Sequence, residues 1–208
     1  DLSFNATPTT RGAEPLPAEF KNGKTILITE ATAGNSVLPD RASEEQRLIQ
    51  RVKEVLTKKG NVLIPAPSIG RAQDVALALA RGGIRVWLGG TTKSVLQSEA
   101  FGPEFSHENI VRIECKTAAP LIKHLKPKAV VSSHGMMEFG LSRELAFHWL
   151  PDPKNAIFIP SYQAPGTLGH ELSLAKTGDV IAFPNHETGA KVLRAAVVRF
   201  QLSIHADG

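Results

Sequence analysis

Residues 61–90 read NVLIPAPSIGRAQDVALALARGGIRVWLGG. The β-branched run at 61–65 breaks at Pro65-Ala66-Pro67, a helix spans GRAQDVALALARGG, and IRVWLGG forms a second strand. Two strands separated by a helix, with no tight hairpin signal between them, specify parallel pairing. The same alternation extends in both directions. Upstream, SEEQRLIQRVKEVLTKKG (43–60) places Leu48, Ile49, Val52, Val55 and Leu56 at helical spacing. There Ser43 with Gln46 forms a capping-box pattern and Gly60 supplies the stop. Before it, KTILITE (24–30) is a β-rich run, and residues 1–23 hold three prolines and little periodicity, as a crossing segment does. Downstream come NIVRIE as strand, a helix near TAAPLIKHLK, KAVVSS as strand, a helix through SRELAFHWL, then NAIFIP, GDVIAF and KVLRAAVVRFQLSIH. The prediction is an α/β, doubly wound, mostly parallel sheet with helices on both faces.

The totals bound what such a chain does. Its 208 residues suffice for one large domain. Hydrophobic residues make up 42% and charged residues 21%, the balance of a globular protein, and no apolar run approaches the roughly 20 residues of a membrane span, so no membrane is expected. A lone Cys115 excludes an internal disulfide and fits a reducing, cytoplasmic setting. Lys and Arg exceed Asp and Glu by 24 to 20, with pI near 9.3, a mild bias toward a polyanionic partner.

Parallel sheets bind ligands beyond the carboxyl ends of their strands, so the chemistry is sought in the loops EATAGN, APSIGRAQ, SHGMMEFG, SYQAPGTLGHE and HADG. Glu30 closes one strand. Gly70 and Arg71 open a helix, where free amides and a guanidinium together suit a phosphate oxygen. Tyr162, Gly166 and Thr167 join an aromatic face, close backbone approach and a hydroxyl before a helix start. Neither a dinucleotide-binding glycine fingerprint nor a Walker pattern occurs. Of seven histidines, none forms a His-x-His or His-x-x-x-His pair, so an independent zinc site is not expected. His148 reads as a core or rim residue of an apolar helix, and His107, His124 and His186 as solvated positions. His134, beside Ser133, and His170 lie in glycine-containing loops and are candidates for substrate contact. His205 ends a strand and is the natural proton donor near neutral pH, given a carboxylate to orient it.

The segments ITEATAGN, VLIPAPSIGRAQDVALALA, VVSSHGMMEFGLS, DPKNAIFIPSYQAPGTLGHEL and LSIHADG, in this order, resemble the β-CASP family of metallo-β-lactamase-fold nucleases. The likeness extends over nearly the whole chain, and GRAQ together with YQAPGTLG is its specific part. The resemblance implies a β-CASP domain at 34–189, inserted into a metallo-β-lactamase domain represented by residues 1–33 and by a return segment, 190–208, with terminal strands of that lobe. It implies Glu30 as the family's first acidic motif residue, tuning His205. It further implies His205 as the acid that protonates the leaving oxygen, and Asp1, opening DLSFNATP, as a metal-bridging carboxylate between two zinc ions. Arg71, Ser133, His134, Tyr162, Gly166 and Thr167 are then expected on single-stranded RNA. The His-x-His-x-Asp-His run of the family is absent, His134 stands where proline is frequent, and Ile204 replaces an alanine. The chain is accordingly expected to be the central section of a larger zinc ribonuclease, inactive and holding no zinc by itself, with a homodimer as a further expectation. The competing expectations are a DNA exonuclease of the same superfamily, a non-catalytic scaffold subunit, and a generic α/β domain for a small ligand.

Overall fold

The computed structural model describes residues 6–21, 24, 26, 28, 35, 37–95, 106–113, 118–123, 126–184, 186 and 189–202. After a short 3-10 turn at Ala18–Lys21, the order is α1 (Arg41–Thr57), β1 (Val62–Pro65), α2 (Arg71–Arg81), β2 (Val86–Gly89), α3 (Thr92–Val95) and β3 (Ile110–Arg112). There follow α4 (Ala119–Lys123), β4 (Ala129–Ser132), α5 (Gly140–Trp149), β5 (Ala156–Ile159), α6 (Leu168–Leu174), β6 (Val180–Ala182), β7 (Ala190–Val192) and β8 (Ala196–Arg199).

Six strands form one parallel sheet in the order β3-β2-β4-β1-β5-β8, and β6 pairs with β7 as a separate antiparallel ribbon. The alternation along each strand decides the layers. Val62, Ile64, Ala129, Val131, Ala156 and Phe158 face α1 and α2 in one core, while Leu63, Val130, Ile157 and Ile159 face α5 and α6 in the other. Every position of β1, β4 and β5 is buried, which only helices on both faces achieve and which explains why these runs carry no polar alternation in sequence. Each fully buried aliphatic side chain contributes about 1.5–3 kcal/mol of hydrophobic stabilisation. β1 is followed by a crossover toward β2 and β4 by a crossover toward β5, so adjacent β1 and β4 send their chains in opposite directions. That divergence opens a crevice at their carboxyl ends.

Three local expectations are corrected. Helix α1 is capped three residues earlier than the Ser43 pattern implies: Asp40 is the N-cap, and its carboxylate accepts the Ser43 amide at 2.8 Å. At the other end Lys59, with φ of 61°, takes the left-handed position, and Gly60 is needed because a Cβ there would run into the Lys154 carbonyl. The run KVLRAAVVRFQLSIH is not one strand but two, β7 and β8, because β7 pairs with β6 while β8 adds to the main sheet beside β5.

Within the expected return segment 190–208, residues 196–199 are therefore the sixth strand of this sheet. The segment leaving β8 is gripped by α1. The Glu44 carboxylate accepts bonds from Arg47 Nε and Nη2, both 2.7 Å, and from the Gln201 amide, 2.7 Å. Arg47 in turn donates to the Arg199 carbonyl and lies 4.1 Å over the Phe200 ring. The Arg47 bonds, with help from the Gln201 amide, hold the Glu44 carboxyl below its ordinary range, against the opposing effect of burial. A depressed carboxyl contributes stability above its unfolded value and loses it as pH falls through the folded one. Glu44→Gln is thus expected to flatten the acid limb of a stability-versus-pH curve below about pH 4.5, the ordinary glutamate value. Urea midpoints measured from pH 3 to 7 check this, and parallel acid limbs in both proteins would refute it.

The strand expected at 24–30 lies mostly outside the described residues. Lys24, Ile26 and Ile28 are described and not in strand, and the two isoleucines are 90% and 92% exposed.

Candidate nucleic-acid interface

Asp1, Glu30 and His205 lie outside the described residues. Among the described residues no three His, Cys, Asp or Glu side chains converge as metal ligands do. The described residues therefore do not fit a zinc site, and no chemical step is routed through a metal below. What the described residues do build is a rim at the carboxyl ends of β1, β2, β4 and β5.

The two loops at the crevice touch: a Cβ on Gly135 would meet Pro67 Cδ at 3.0 Å and the Ala66 carbonyl carbon at 3.1 Å, so only glycine lets the β4 loop cross the β1 loop there. Ser133 is fully buried, and its hydroxyl accepts the Thr91 amide at 2.9 Å, tying the β4 loop to the β2 loop. Thr91 Oγ1 then lies 2.7 Å from Ser68 Oγ, whose carbonyl accepts Gln73 Nε2 at 2.8 Å. Gln163, 3% exposed, closes the arrangement from β5 by directing Nε2 at the carbonyls of Gly135, Ser161 and Tyr162, at 3.0 to 3.2 Å. Its carboxamide packs where a side chain on Gly169 would stand. Four strand ends are thereby stapled into one surface, by buried Ser133, Gln73 and Gln163 and by the Ser68–Thr91 contact at its exposed edge. Gln163 was present in the sequence motif, but nothing in the motif distinguishes a staple from a ligand contact.

The six residues expected on RNA divide accordingly. Tyr162 is 69% exposed, and Gly166, with φ of 85°, has nothing within 4 Å of an added Cβ. His134 is half-buried, its φ of 65° in the left-handed region, and its ring lies 4.1 Å from that of Phe139, which is 60% exposed. The strained His134 backbone is held by its own carbonyl, which accepts from Ser142 Oγ at 2.9 Å and the Met137 amide at 2.8 Å. Gly140 is required at the base of this turn, with φ of 71° and the His134 ring occupying the place of a Cβ. Ser133 and Thr167, by contrast, are structural. The Thr167 hydroxyl donates to the Ala164 carbonyl at 2.7 Å and accepts the His170 amide at 3.2 Å, capping α6.

Arg71 is present at the rim, where two of the amides expected to be free beside it are already bonded. The Arg71 amide donates to Ile69 O and the Ala72 amide to Pro67 O. Arg71 is 8% exposed, with Nη1 of its guanidinium buried and unbonded. Desolvation, then Arg41, lower its pKa to about 10 against the opposing pull of Asp74 and Glu45, so it is charged at neutral pH. Asp74 accepts the Thr9 amide at 3.0 Å and sits 3.6 Å from Arg41 Nη2. A buried guanidinium donor with no acceptor is the kind of unsatisfied group that an anionic ligand satisfies.

A rim with apolar and aromatic groups outward, a cation beneath and glycines between suits a flexible strand with bases and phosphates. The Beta-Casp domain model matches residues 90–172, from the turn after β2 into α6. The chain belongs to the β-CASP family. It is 31% identical over 188 residues to a transcription termination factor FttA of Pyrococcus horikoshii, covering 78% of this chain and 29% of that protein. It is 30% identical to the cleavage and polyadenylation specificity factor subunit 3 of Dictyostelium discoideum, covering 94% and 27%. It is 27% identical to an endoribonuclease YSH1 of Eremothecium gossypii, covering 88% and 27%. The chain thus spans less than a third of the length of these relatives. The loops that form the β-CASP rim at β4 and β5 fall inside the matched residues, and the Gly70-Arg71 turn precedes them.

Proposed function

We propose that this chain is the RNA-holding part of a zinc-dependent ribonuclease that hydrolyses phosphodiester bonds in single-stranded RNA and works in the cytoplasm. The observation that carries the reading is the rim itself. Tyr162, Phe139 and Ile69, 69%, 60% and 71% exposed, stand on loops leaving β5, β4 and β1, and the β1 loop leads into the buried, unsatisfied Arg71. Exposed rings stack on unpaired bases without regard to sequence, and a cation at the same edge draws the backbone. The names of the relatives, an endoribonuclease among them, favour RNA over DNA.

Chemistry belongs to residues outside those described. Asp1 is proposed as a carboxylate ligand of zinc, of which two ions are proposed. His205 is proposed to give its proton to the leaving oxygen, oriented by Glu30. When bound, the ions would supply a hydroxide and stabilise charge in the transition state. The described residues bind and orient the strand: Arg71 neutralises a phosphate, and Tyr162 with the His134–Phe139 pair positions bases.

Matched RNA and DNA oligonucleotides offered to the complete protein test the substrate, with RNA alone cut. Equal cutting of DNA would favour an exonuclease acting on DNA. Tyr162→Ala in this chain is expected to weaken binding of an RNA 12-mer about 5- to 160-fold, the loss of one base stack of about 1–3 kcal/mol. The thermal midpoint should stay unchanged, since the ring is mostly exposed. Fluorescence anisotropy and circular dichroism on the same samples read both quantities.

A further inference from the structure

Arg41, the first residue of α1, makes three polar contacts. Its Nε donates to Glu45 Oε1 at 2.6 Å, an ordinary pair one turn along the same helix. Its Nη1 donates to the Leu202 carbonyl at 3.3 Å, and its Nη2 faces Asp74 Oδ2 of α2 at 3.6 Å. Asp74 in turn accepts the Thr9 amide on Oδ1. One guanidinium therefore joins α1, α2 and the segment that leaves β8, and the carboxylate beside it holds the segment that comes in at Thr9.

Stability alone does not account for this arrangement. The Asp74 side chain is fully buried, and a buried carboxylate is costly unless its oxygens are bonded. Yet Asp74 Oδ2 and Arg41 Nη2 are both buried without a hydrogen bond, facing each other just beyond hydrogen-bond distance. Apolar side chains of similar volume would hold α1 to α2 without that cost. They would not fix a backbone carbonyl. Leu202 precedes His205 by three residues, a span of at most about 10–11 Å, so the position of the Leu202 carbonyl limits where the imidazole can reach. On the other side, Asp74 follows Arg71 by three residues on α2, which makes it a neighbour on the helix surface of the guanidinium assigned to a phosphate.

We infer that Arg41 and Asp74 are positioning residues for hydrolysis: together they lock the segment carrying His205 to the helix whose Arg71 holds the RNA backbone, so that proton donor and scissile bond keep one register. This rests on the reading of the chain as part of a ribonuclease with His205 as its acid. The Glu44–Arg47 grip on residues 199–201 joins the exit segment to α1. Arg41 extends it by one residue and brings in α2. Neither Arg41 nor Asp74 touches RNA in this role, and their effect is on orientation.

Arg41→Lys in the complete protein keeps a charge opposite Asp74 but replaces the planar fork with a single ammonium, which cannot serve Glu45, Asp74 and Leu202 at once. With an RNA oligonucleotide as substrate, kcat should fall about 10- to 100-fold, the cost of a misplacement on the order of 1 Å, while KM stays within about twofold. Asp74→Asn, which keeps an acceptor for the Thr9 amide and breaks the bridge from α2, should do the same. Arg51→Lys alters an exposed pair with Glu54 on the same helix and should change neither constant. The deciding readout is the His205→Ala background. A residue that acts through His205 has nothing left to position there, so Arg41→Lys should slow the residual single-turnover rate by less than about twofold. A merely structural role multiplies the loss in both backgrounds. Multiplied losses, an unchanged kcat in both bridge variants, or a raised KM at unchanged kcat overturn the inference. Circular dichroism melts accompany each variant, and loss of fold in both Arg41→Lys and Asp74→Asn makes the bridge a stability element and overturns it too. Failure of the wider reading looks different: an unsubstituted complete protein that leaves RNA uncut removes the ribonuclease, and full activity of His205→Ala removes the acid. The positioning role falls with either, whereas its own failure leaves both standing.

Discussion

Replacing His205 by alanine in the complete protein is expected to slow RNA hydrolysis about 10²- to 10⁴-fold, the contribution of a positioned general acid. Bound zinc should remain at the level of the unsubstituted protein. The two readouts are chosen because an imidazole next to a metal centre has two possible jobs. An acid can be removed without disturbing the ions, whereas a ligand cannot. Lost zinc together with lost turnover would move His205 from proton donor to ligand and overturn the assignment. A companion substitution gives the direction of the coupling. A neighbouring carboxylate favours the protonated imidazole and raises its pKa. Glu30→Gln should therefore shift the alkaline arm of the pH–rate profile to lower pH, because the acid then deprotonates sooner. A profile that only drops in height would show that Glu30 does not act through His205.

The second large effect concerns the framework. Phe158→Ala is expected to cost about 3–5 kcal/mol of folding free energy, as large-to-small substitutions of buried rings do. Phe158 is fully buried in β5 and meets the Phe200 ring with centroids 5.2 Å apart, tilted by 58°. Its strand joins β1 on one side and β8 on the other, so a cavity there loosens both. Against a total stability of about 5–15 kcal/mol for a domain, such a loss lowers the urea midpoint sharply. Phe158→Leu, which keeps most of the volume, should cost much less. Equal midpoints for the alanine variant and the parent would mean that β8 does not depend on this contact. The consequence reaches function through the chain path: β8 leads by way of Phe200 and Leu202 into the segment that carries His205.

Much of the fold was legible along the chain because buried parallel strands have a signature of their own. Runs such as VLIP, AVV and AIFI are apolar at every position, and glycines and prolines bound them. The places where the reading slipped are those where distant residues decide. Asp40 outcompeted Ser43 as a helix cap because its backbone and carboxylate met the first turn earlier. Nothing local to KVLRAAVVRFQLSIH says that Leu193 and Ala195 lie between two strands with different partners. The candidate site divides in the same way. Tyr162, His134 and Arg71 were identifiable by residue type and loop position. That Ser133 and Thr167 are spent on the scaffold could not be read, since a hydroxyl in a glycine-rich loop looks the same whether it faces ligand or backbone.

The sequence by itself determined the α/β alternation, the loops that lie at the strand ends and the family, because periodicity and motif order are properties of the chain. Only the tertiary structure decided that Gln163 staples the β5 loop to the β4 loop and that Arg71 lies buried with an unsatisfied donor. It alone showed that Arg41 joins Asp74 to the Leu202 carbonyl. Hydrogen bonding and electrostatic attraction depend on distance through space, and residues dozens of positions apart acquire such distances only when the sheet assembles.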